Sequence, residues 1–591
     1  MFEILDRGGL GRIGFWTREG HEVRTPAVLF AATADRPAPT FAEFLLTEER
    51  RDDPRPQLVL GGSFFGGPRG SGDLPLAPGI PWSVRDLEVP VEAVSGDFAV
   101  LTSESQISAV SGVEVVFLAN GPEFLRHPRD FASLVALVRQ ELGPAKLLGV
   151  TGLACPSNLA VLAYAGIDLA DSSRVLLDAA RGLYHTADGV VPLEEADRAS
   201  CACASCAAGG ALRDHNEAAL HRELLVVRNH LAYGRLRELV EKRLANDPWN
   251  TAVLRHLDLR HFDLVEEYTP VAGGELRAYS HESLSRPEIV RFRRRVRTRY
   301  AKPSSARVLV LLPCSARKPY SLSRSHRKFR DAILACGNPA AVHEVIVTSP
   351  LGLIPRELER FHPARAYDIP VTGDWNRDEA AMVSEDLRAF LAANPYDAVL
   401  VHLGAETPIV REAVPDALVT SDGRPTADEA LNALVRALRE VVANLGKVPG
   451  SRRFAEDMAN LARFQFGDAG VALVERATYR GRFPDVRVFR GDVQVASHTG
   501  RGLLSLTLDG GRILSQADAY CVEIEDFHPK GNLFAVGVKG ASPEIRVGDD
   551  VVVRHAGHVR AVGTARMNAR EMTDARRGEA VHVRHVLAQA A

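Results

Sequence analysis

Apolar and polar positions alternate one by one through GRIGFWTREGHEVRTPAVLFAAT, around residues that favour turns, and this period of two predicts a strand or hairpin near the start of the chain. From there to about residue 195, short apolar runs alternate with stretches of helical period: AVSGDFAVL, DFASLVALVRQEL, KLLGVTGLA and NLAVLAYAGIDLADSS. Repeated β and α units imply a mostly parallel sheet, open or closed into a barrel. Residues 215–244 keep apolar positions at helical spacing with one internal glycine, Gly234, and predict a long helix. The pattern loosens over 245–304, where RPEIVRFRRRVRTRYAKPSS reads as a linker or a surface helix. Buried-strand runs then return in ARVLVLLP, AVHEVIVTSPLGLIP and YDAVLVHLG, with helices between them, predicting a second α/β unit to about residue 445. Beyond about 450, a helical and β-rich stretch leads to short strands broken by Gly, Pro and Asp, the pattern of a small closed β-barrel.

Length agrees with several units, since 591 residues at roughly 150 per domain make about three or four. No run of 18 or more apolar residues could span a bilayer, and the N-terminus lacks the basic start and apolar core of a secretory signal. A cytoplasmic chain without membrane association is expected. A net charge of −3 neither requires nor excludes nucleic acid, because positive charge can be confined to one face. Arginine outnumbers lysine, and its planar fork suits phosphate contacts.

The seven cysteines change the picture more. Three lie in CACASC, as Cys201, Cys203 and Cys206, a spacing that brings three thiolates together and needs one histidine to close a tetrahedral site. His215 is the natural fourth ligand, with His221 and His230 as alternatives, and a closed site is structural. Asp168 and Asp171, three apart in AGIDLADSS, taken alone read as a helix cap or a solvated carboxylate pair; Asp97 is a weaker candidate. His343, His362 and His402 read as satisfied structural groups.

The densest chemistry is LLPCSARKPYSLSRSH. Pro313 stops a strand, and Cys314, Lys318, Tyr320, Ser323 and His326 follow within thirteen residues. At the carboxyl end of a strand in an α/β sheet this is where ligands bind. Lys318, His326 or a helix N-terminus would lower the Cys314 pKa, making it a nucleophile, while the hydroxyls and the imidazole would bind a polar substrate or move protons.

HEVRTPAVLF, AGIDLADSS and the cysteine cluster followed by HNEAALHRELLVVRNHLAYGRLREL together resemble the tRNA-guanine transglycosylase barrel and its zinc segment. The phase of the helix after His215, with Arg228, Gly234 and Arg235, matches that superfamily's final helix and selects His215 over His221 and His230. The motif P-C-x3-K-P-Y-x2-S-x2-H is similar to the signature of the archaeosine synthases, archaeal paralogues of the transglycosylases, and the closing barrel resembles a PUA domain. The resemblance implies an α/β multidomain chain. A transglycosylase-like (β/α)8 barrel with a zinc segment would span 1–245, a linker or helical segment 246–304, a catalytic α/β domain 305–445, a small α+β domain 446–511 and a PUA RNA-binding barrel 512–588.

It further implies a transferase that adds free lysine to the nitrile of 7-cyano-7-deazaguanine at position 15 in the tRNA D-loop, the adduct then passing to a radical-SAM lyase partner. Glutamine-dependent amidine transfer on the same base and guanine exchange are the alternatives. The residues carried over are Cys314, Lys318, Tyr320, Ser323 and His326, with Asp171 where the transglycosylases keep their nucleophile, and Cys201, Cys203, Cys206 and His215 on a structural Zn2+. Two departures matter. SSRVLLDAAR follows Asp171 in place of Leu-Pro-Thr-Arg, and only eight residues separate Cys206 from His215. Both point away from base exchange and toward a barrel that serves as a tRNA-binding scaffold. In the closing barrel Lys530, Lys539, Arg546, Arg554 and Arg560 are candidate phosphate contacts, and a homodimer is a further expectation.

Overall fold

The computed structural model describes residues 2–588 apart from 19, 33–36, 48–49, 60–92, 96–97, 102–106, 108–109, 111, 119–120, 371–373 and 422. Asp97 lies outside the described residues. The chain divides into two compact units, one of residues 1–269 with 534–536 and 570–580, the other of the remainder. No helix among the described residues is long and apolar enough to cross a membrane.

The first unit opens on an antiparallel sheet of β1 (Phe2–Gly8), β2 (Gly11–Arg18) and β3 (His21–Thr25). Eight further strands form one sheet: β4 (Ala27–Ala32), β5 (Phe44–Thr47), β6 (Gln57–Val59), β7 (Ala93–Ser95), β8 (Phe98–Leu101), β9 (Val115–Leu118), β10 (Leu147–Val150) and β11 (Leu169–Asp171). Their order is β6-β5-β4-β11-β10-β9-β8-β7, parallel throughout except for β7 against β8. The pairing of β11 with β4 joins the end of the run to its beginning, as a barrel requires; the described strands leave one opening, between β6 and β7. Helices α1 (Pro128–Leu142), α2 (Leu159–Tyr164) and α3 (Ser173–Ala180) follow β9, β10 and β11. Beneath them Asp168 is buried between Arg12 (2.8 Å) and Arg139 (2.7 Å), so it is a paired core carboxylate and not a solvated one.

A small hairpin, β12 (Leu183–Thr186) with β13 (Gly189–Pro192), and the short α4 (Ala204–Ala207) precede α5 (Leu212–Ala232). The single helix expected over 215–244 is two, α5 and α6 (Leu236–Arg243), because Gly234 takes a left-handed φ of 63° that ends the first. The stretch read from 246 as a linker or helical segment also divides. Helices α7 (Pro248–Arg260) and α8 (Phe262–Glu267) place Trp249, Val253, Leu254, Leu257, Leu264 and Val265 in the same core as the barrel strands. Apolar residues recurring at helical spacing make these helices part of the first unit.

The second unit begins at Pro270 with β14 (Leu276–Arg277) and α9 (Pro287–Thr298). Its central sheet contains β15 (Val308–Pro313), β16 (Val342–Thr348) and β17 (Gly352–Pro355). After α10 (Arg324–Leu334), β18 (Tyr367–Asp368) and α11 (Arg377–Ala393), β19 (Ala398–His402), α12 (Thr407–Arg411), β20 (Leu418–Ser421) and α13 (Asp428–Val442) complete it. The order is β17-β16-β15-β19-β20, with only β17 antiparallel to its neighbour. Val308, Val310 and Leu312 alternate onto one face and pack with Phe329 and Ile333 of α10 and Leu434 and Leu438 of α13. α14 (Gly450–Phe466) and α15 (Asp468–Val474) lead to a four-stranded meander of β21 (Thr478–Arg482), β22 (Asp485–Arg490), β23 (Val493–His498) and β24 (Leu504–Leu506). α16 (Leu508–Gln516) then precedes a six-stranded sheet of β25 (Cys521–Ile524), β26 (Leu533–Phe534), β27 (Val538–Ala541), β28 (Asp550–His555), β29 (His558–Ala565) and β30 (Glu579–Val586), in the order β26-β30-β29-β28-β25-β27.

Candidate active site

Every residue of β15 is buried, as the continuous apolar run VLVLLP requires of a strand covered on both faces. From β15 the chain runs through α10 to β16 on one side, then returns to place β19 on the other. The two crossovers leave in opposite directions, so the carboxyl ends of β15 and β19 frame the crevice where open α/β sheets bind ligands. Cys314 is the first residue past β15 at that point.

The turn after Cys314 is built by its own polar residues. Ser323 caps α10 by accepting the His326 N–H at 3.2 Å, and Ser321 N donates to Glu359 at 2.9 Å. Buried His326 has both ring nitrogens engaged: Nε2 donates to the Pro313 carbonyl at 3.0 Å and Nδ1 accepts from Arg356 at 2.7 Å. Arg356 in turn pairs with Glu344 and Glu359. His326 thus locks the backbone beside Cys314, and burial with the Arg356 charge pushes its pKa down to about 3.

A line of hydroxyls runs through the core of the site. The Tyr320 hydroxyl bonds that of Tyr367, which lies 2.6 Å from Thr348 Oγ1, and Thr348 ends the strand paired with β15, one residue past the partner of Pro313. Burial raises the pKa of Cys314, and the nearby carboxylate of Glu406 raises it further, while Lys318 and Thr348 pull the other way. Cys314 is therefore a thiol at neutral pH; the lowered pKa expected from its cationic neighbours does not survive the loss of solvent. Lys318 stands with Nζ 4.1 Å from the centre of the Tyr367 ring, and burial lowers its pKa against the opposing fields of Cys314, Asp368 and Glu275.

Cys314, Lys318 and Tyr320 are thus brought together, with Ser323 and His326 shaping the turn. Thr348, Arg356, Tyr367 and Glu406 escape the motif because they lie on other segments. Thr348 ends β16 and Glu406 follows β19, so reading the carboxyl end of every strand would have found these two. His343 and His402 are hydrogen-bonded core groups: His343 to Tyr300 and Tyr396, His402 to Thr420 and the Pro425 carbonyl. His362 is also largely buried, its Nδ1 without a hydrogen-bond partner among the described residues.

The position of His326 predicts a pH response. The unfolded histidine takes up a proton below its ordinary value of about 6.5, whereas the folded one resists until about pH 3. The folded state binds fewer protons across that window, so stability falls as pH drops from about 6.5, at up to ~1.4 kcal/mol per pH unit. Urea unfolding at pH 7, 6 and 5 should show a steeper acid loss in the parent than in His326→Gln; parallel curves would refute the neutral, buried imidazole.

In the first unit Cys201, Cys203, Cys206 and His215 offer ligand atoms all within 4.8 Å of one another. The three sulfurs lie 3.6, 3.4 and 3.4 Å from His215 Nδ1. Metal bonds of about 2.3 Å to sulfur and about 2.0 Å to nitrogen at the tetrahedral angle require about 3.5 Å, so the donor set fits one metal ion. Nε2 of His215 donates to the His185 carbonyl at 2.9 Å, which directs the Nδ1 lone pair at the thiols, and Tyr184 stacks on the ring at 3.8 Å. His221 stacks on Phe41 and His230 bonds the Val226 carbonyl, so neither joins the set.

Asp171, at the carboxyl end of β11, is buried with Oδ1 accepting the Gly152 N–H and Oδ2 accepting the Ser173 hydroxyl, both at 2.8 Å. Burial raises its pKa to about 6. It belongs to the first unit and Cys314 to the second. In the closing sheet Lys539, Arg554 and Arg560 pair with Glu525, with Asp518 and Glu523, and with Asp526 respectively. Three of the five expected phosphate contacts are thus neutralised within the protein.

Residues 289–438 match the family model described as a domain of unknown function, DUF5591, and residues 524–587 match the PUA domain. The chain is 36% identical to the archaeosine synthase of Haloferax volcanii, over 99% of both chains. It is 37% identical to archaeosine synthase subunit alpha of Methanosarcina acetivorans, over 78% of this chain and 77% of that one. To the tRNA-guanine(15) transglycosylase of Methanothermobacter thermautotrophicus it is 26% identical, over 77% and 68%.

Proposed function

This chain belongs to the archaeosine synthase family, and we propose that, as a tRNA-modifying transferase, it adds the amine of free lysine to the nitrile carbon of 7-cyano-7-deazaguanine at position 15 of tRNA. A radical-SAM partner then opens the adduct toward archaeosine. The observation that carries this reading is the placement of Cys314 at the sheet's switch point beside Thr348, Tyr367 and Lys318.

The chemistry follows from those neighbours. Cys314 adds through sulfur to the nitrile carbon, giving a thioimidate. Lys318 donates a proton to the nitrile nitrogen as charge develops there and takes up the proton that the thiol gives up, so no net proton leaves the site. The amine then attacks the thioimidate carbon, the C–S bond breaks, and sulfur recovers a proton. Addition of an amine to a nitrile is redox-neutral, so no oxidant or reductant is needed. His326 takes no part in proton transfer; both its nitrogens are committed, and it holds Pro313 and Cys314 in position. The Cys3His set is proposed to hold structural zinc with no open position for a substrate.

The test is incubation of the protein with tRNA carrying the cyano base and lysine, followed by nucleoside mass spectrometry. A lysine adduct is expected; an adduct formed only with glutamine as donor would replace the lysine reading. Base exchange is disfavoured because both carboxylate oxygens of Asp171 are already engaged inside the protein. Asp171→Asn, which keeps the shape of the side chain, is expected to leave lysine transfer within about threefold of the parent. Loss of all turnover in that variant, together with incorporation of labelled guanine by the parent, would make the chain a transglycosylase.

A further inference from the structure

The amine must lose a proton before it can attack, since an ordinary alkylammonium holds it until about pH 10.4. His326 is committed, the Tyr320 and Tyr367 hydroxyls are held protonated by burial, and Lys318 lies against Tyr367 between the fields of Asp368 and Glu275. None of these receives the ammonium. Across the switch point stands a carboxylate. β15 and β19 run parallel with Leu311 paired to Val401, so the turns that carry Cys314 and Gly404 leave neighbouring strands at the same edge of the sheet. The chain turns there through Gly404 to Glu406, whose Oε2 accepts the Gly404 N–H at 3.1 Å. A side chain at 404 would come within 3.1 Å of the Gly423 carbonyl and 3.3 Å of Glu406, so glycine permits the close turn. Glu406 is half-buried, and no cation pairs with it among the described residues.

We propose that Glu406 is a catalytic residue that receives the amine co-substrate, binding its ammonium beside Cys314 and taking the proton that frees the nitrogen for attack. This rests on the lysine-transfer reading above. The protons balance. Glu406 accepts one proton as the C–N bond forms and returns one to sulfur as the C–S bond breaks. The other two protons of the starting ammonium leave with the amidinium product, so the carboxylate and the thiol are both restored. Burial keeps Cys314 a neutral thiol, and the Glu406 carboxylate acts in the same direction.

The full chain carrying Glu406→Gln, assayed with tRNA bearing the cyano base and free lysine, should raise KM for lysine at least tenfold and lower kcat, with KM for tRNA within twofold of the parent. Glu406→Asp should recover part of the loss. Independently of turnover, alkylation of Cys314 by iodoacetamide, read by peptide mass spectrometry, should be faster in Glu406→Gln because the carboxylate's field on the thiol is gone. Lysine kinetics within twofold of the parent would overturn the role, and equal alkylation rates would overturn the juxtaposition. A parent protein that transfers no lysine, but whose Glu406→Gln form alkylates faster, would instead locate the failure in the reaction proposed above.

Discussion

Cys314→Ala is expected to abolish lysine transfer, by about three orders of magnitude or more, while tRNA affinity stays within twofold of the parent. The size of the effect follows from what the thiol does. A nitrile is a poor electrophile toward a free amine, and the thioimidate replaces one hard addition with two easier ones. Nothing else near the nitrile can substitute, because Thr348, Tyr320 and Tyr367 present hydroxyls whose protons burial retains. Binding should survive because the small change leaves β15 and the His326–Arg356 bracing untouched. Withholding lysine gives the complementary result: a covalent tRNA adduct on Cys314 in the parent, absent from the alanine variant. Turnover by Cys314→Ala would leave the thiol as a binding group only.

Removing the metal from Cys201, Cys203, Cys206 and His215 is expected to have the largest effect on stability. The segment from Leu193 to Ala211 holds two short 3-10 helices and the four-residue α4, and of its residues only Cys203 is fully buried. It has almost no core of its own, so metal bonds would supply what hydrophobic burial does not. A structural zinc ion is worth about 10–16 kcal/mol in isolated fingers, but α5 and the barrel keep their own packing, so only part of that stabilises the whole unit. Chelation, or Cys203→Ser, should lower the melting midpoint of the first unit by about 10 °C and open residues 193–211 to proteolysis while α5 stays protected. Metal analysis of the parent should give one zinc per chain. A metal-free protein that keeps both its midpoint and its resistance to protease would show the four side chains to be packed without need of an ion.

Much of the architecture was legible where one periodicity ran uninterrupted. VLVLLP could only be a strand covered on both faces, and the CACASC spacing with His215 had few readings other than metal. Sequence was less reliable where two effects competed. The helix over 215–244 broke because the left-handed preference of one glycine outweighed the apolar pattern running through it. The segment after 246 read as loose because half its positions are polar, yet its spaced apolar residues supply a wall of the barrel core.

At the site the division is sharper. Sequence alone determined that Cys314, Lys318, Tyr320, Ser323 and His326 stand together, since a short turn keeps near neighbours near, and that a proline-ended strand presents them. Only the tertiary structure decided what surrounds them. Strand order brings Thr348 and Glu406 to the edge of the sheet where Cys314 stands, and Tyr367 reaches Thr348 from a separate two-stranded sheet. Burial then reverses an expectation drawn from charge: desolvation outweighs the Lys318 field and keeps Cys314 protonated, and hydrogen bonds at both nitrogens make His326 a brace. Local chemistry is written in consecutive residues, but the dielectric around it and the partners that complete it depend on which distant strands the fold sets side by side.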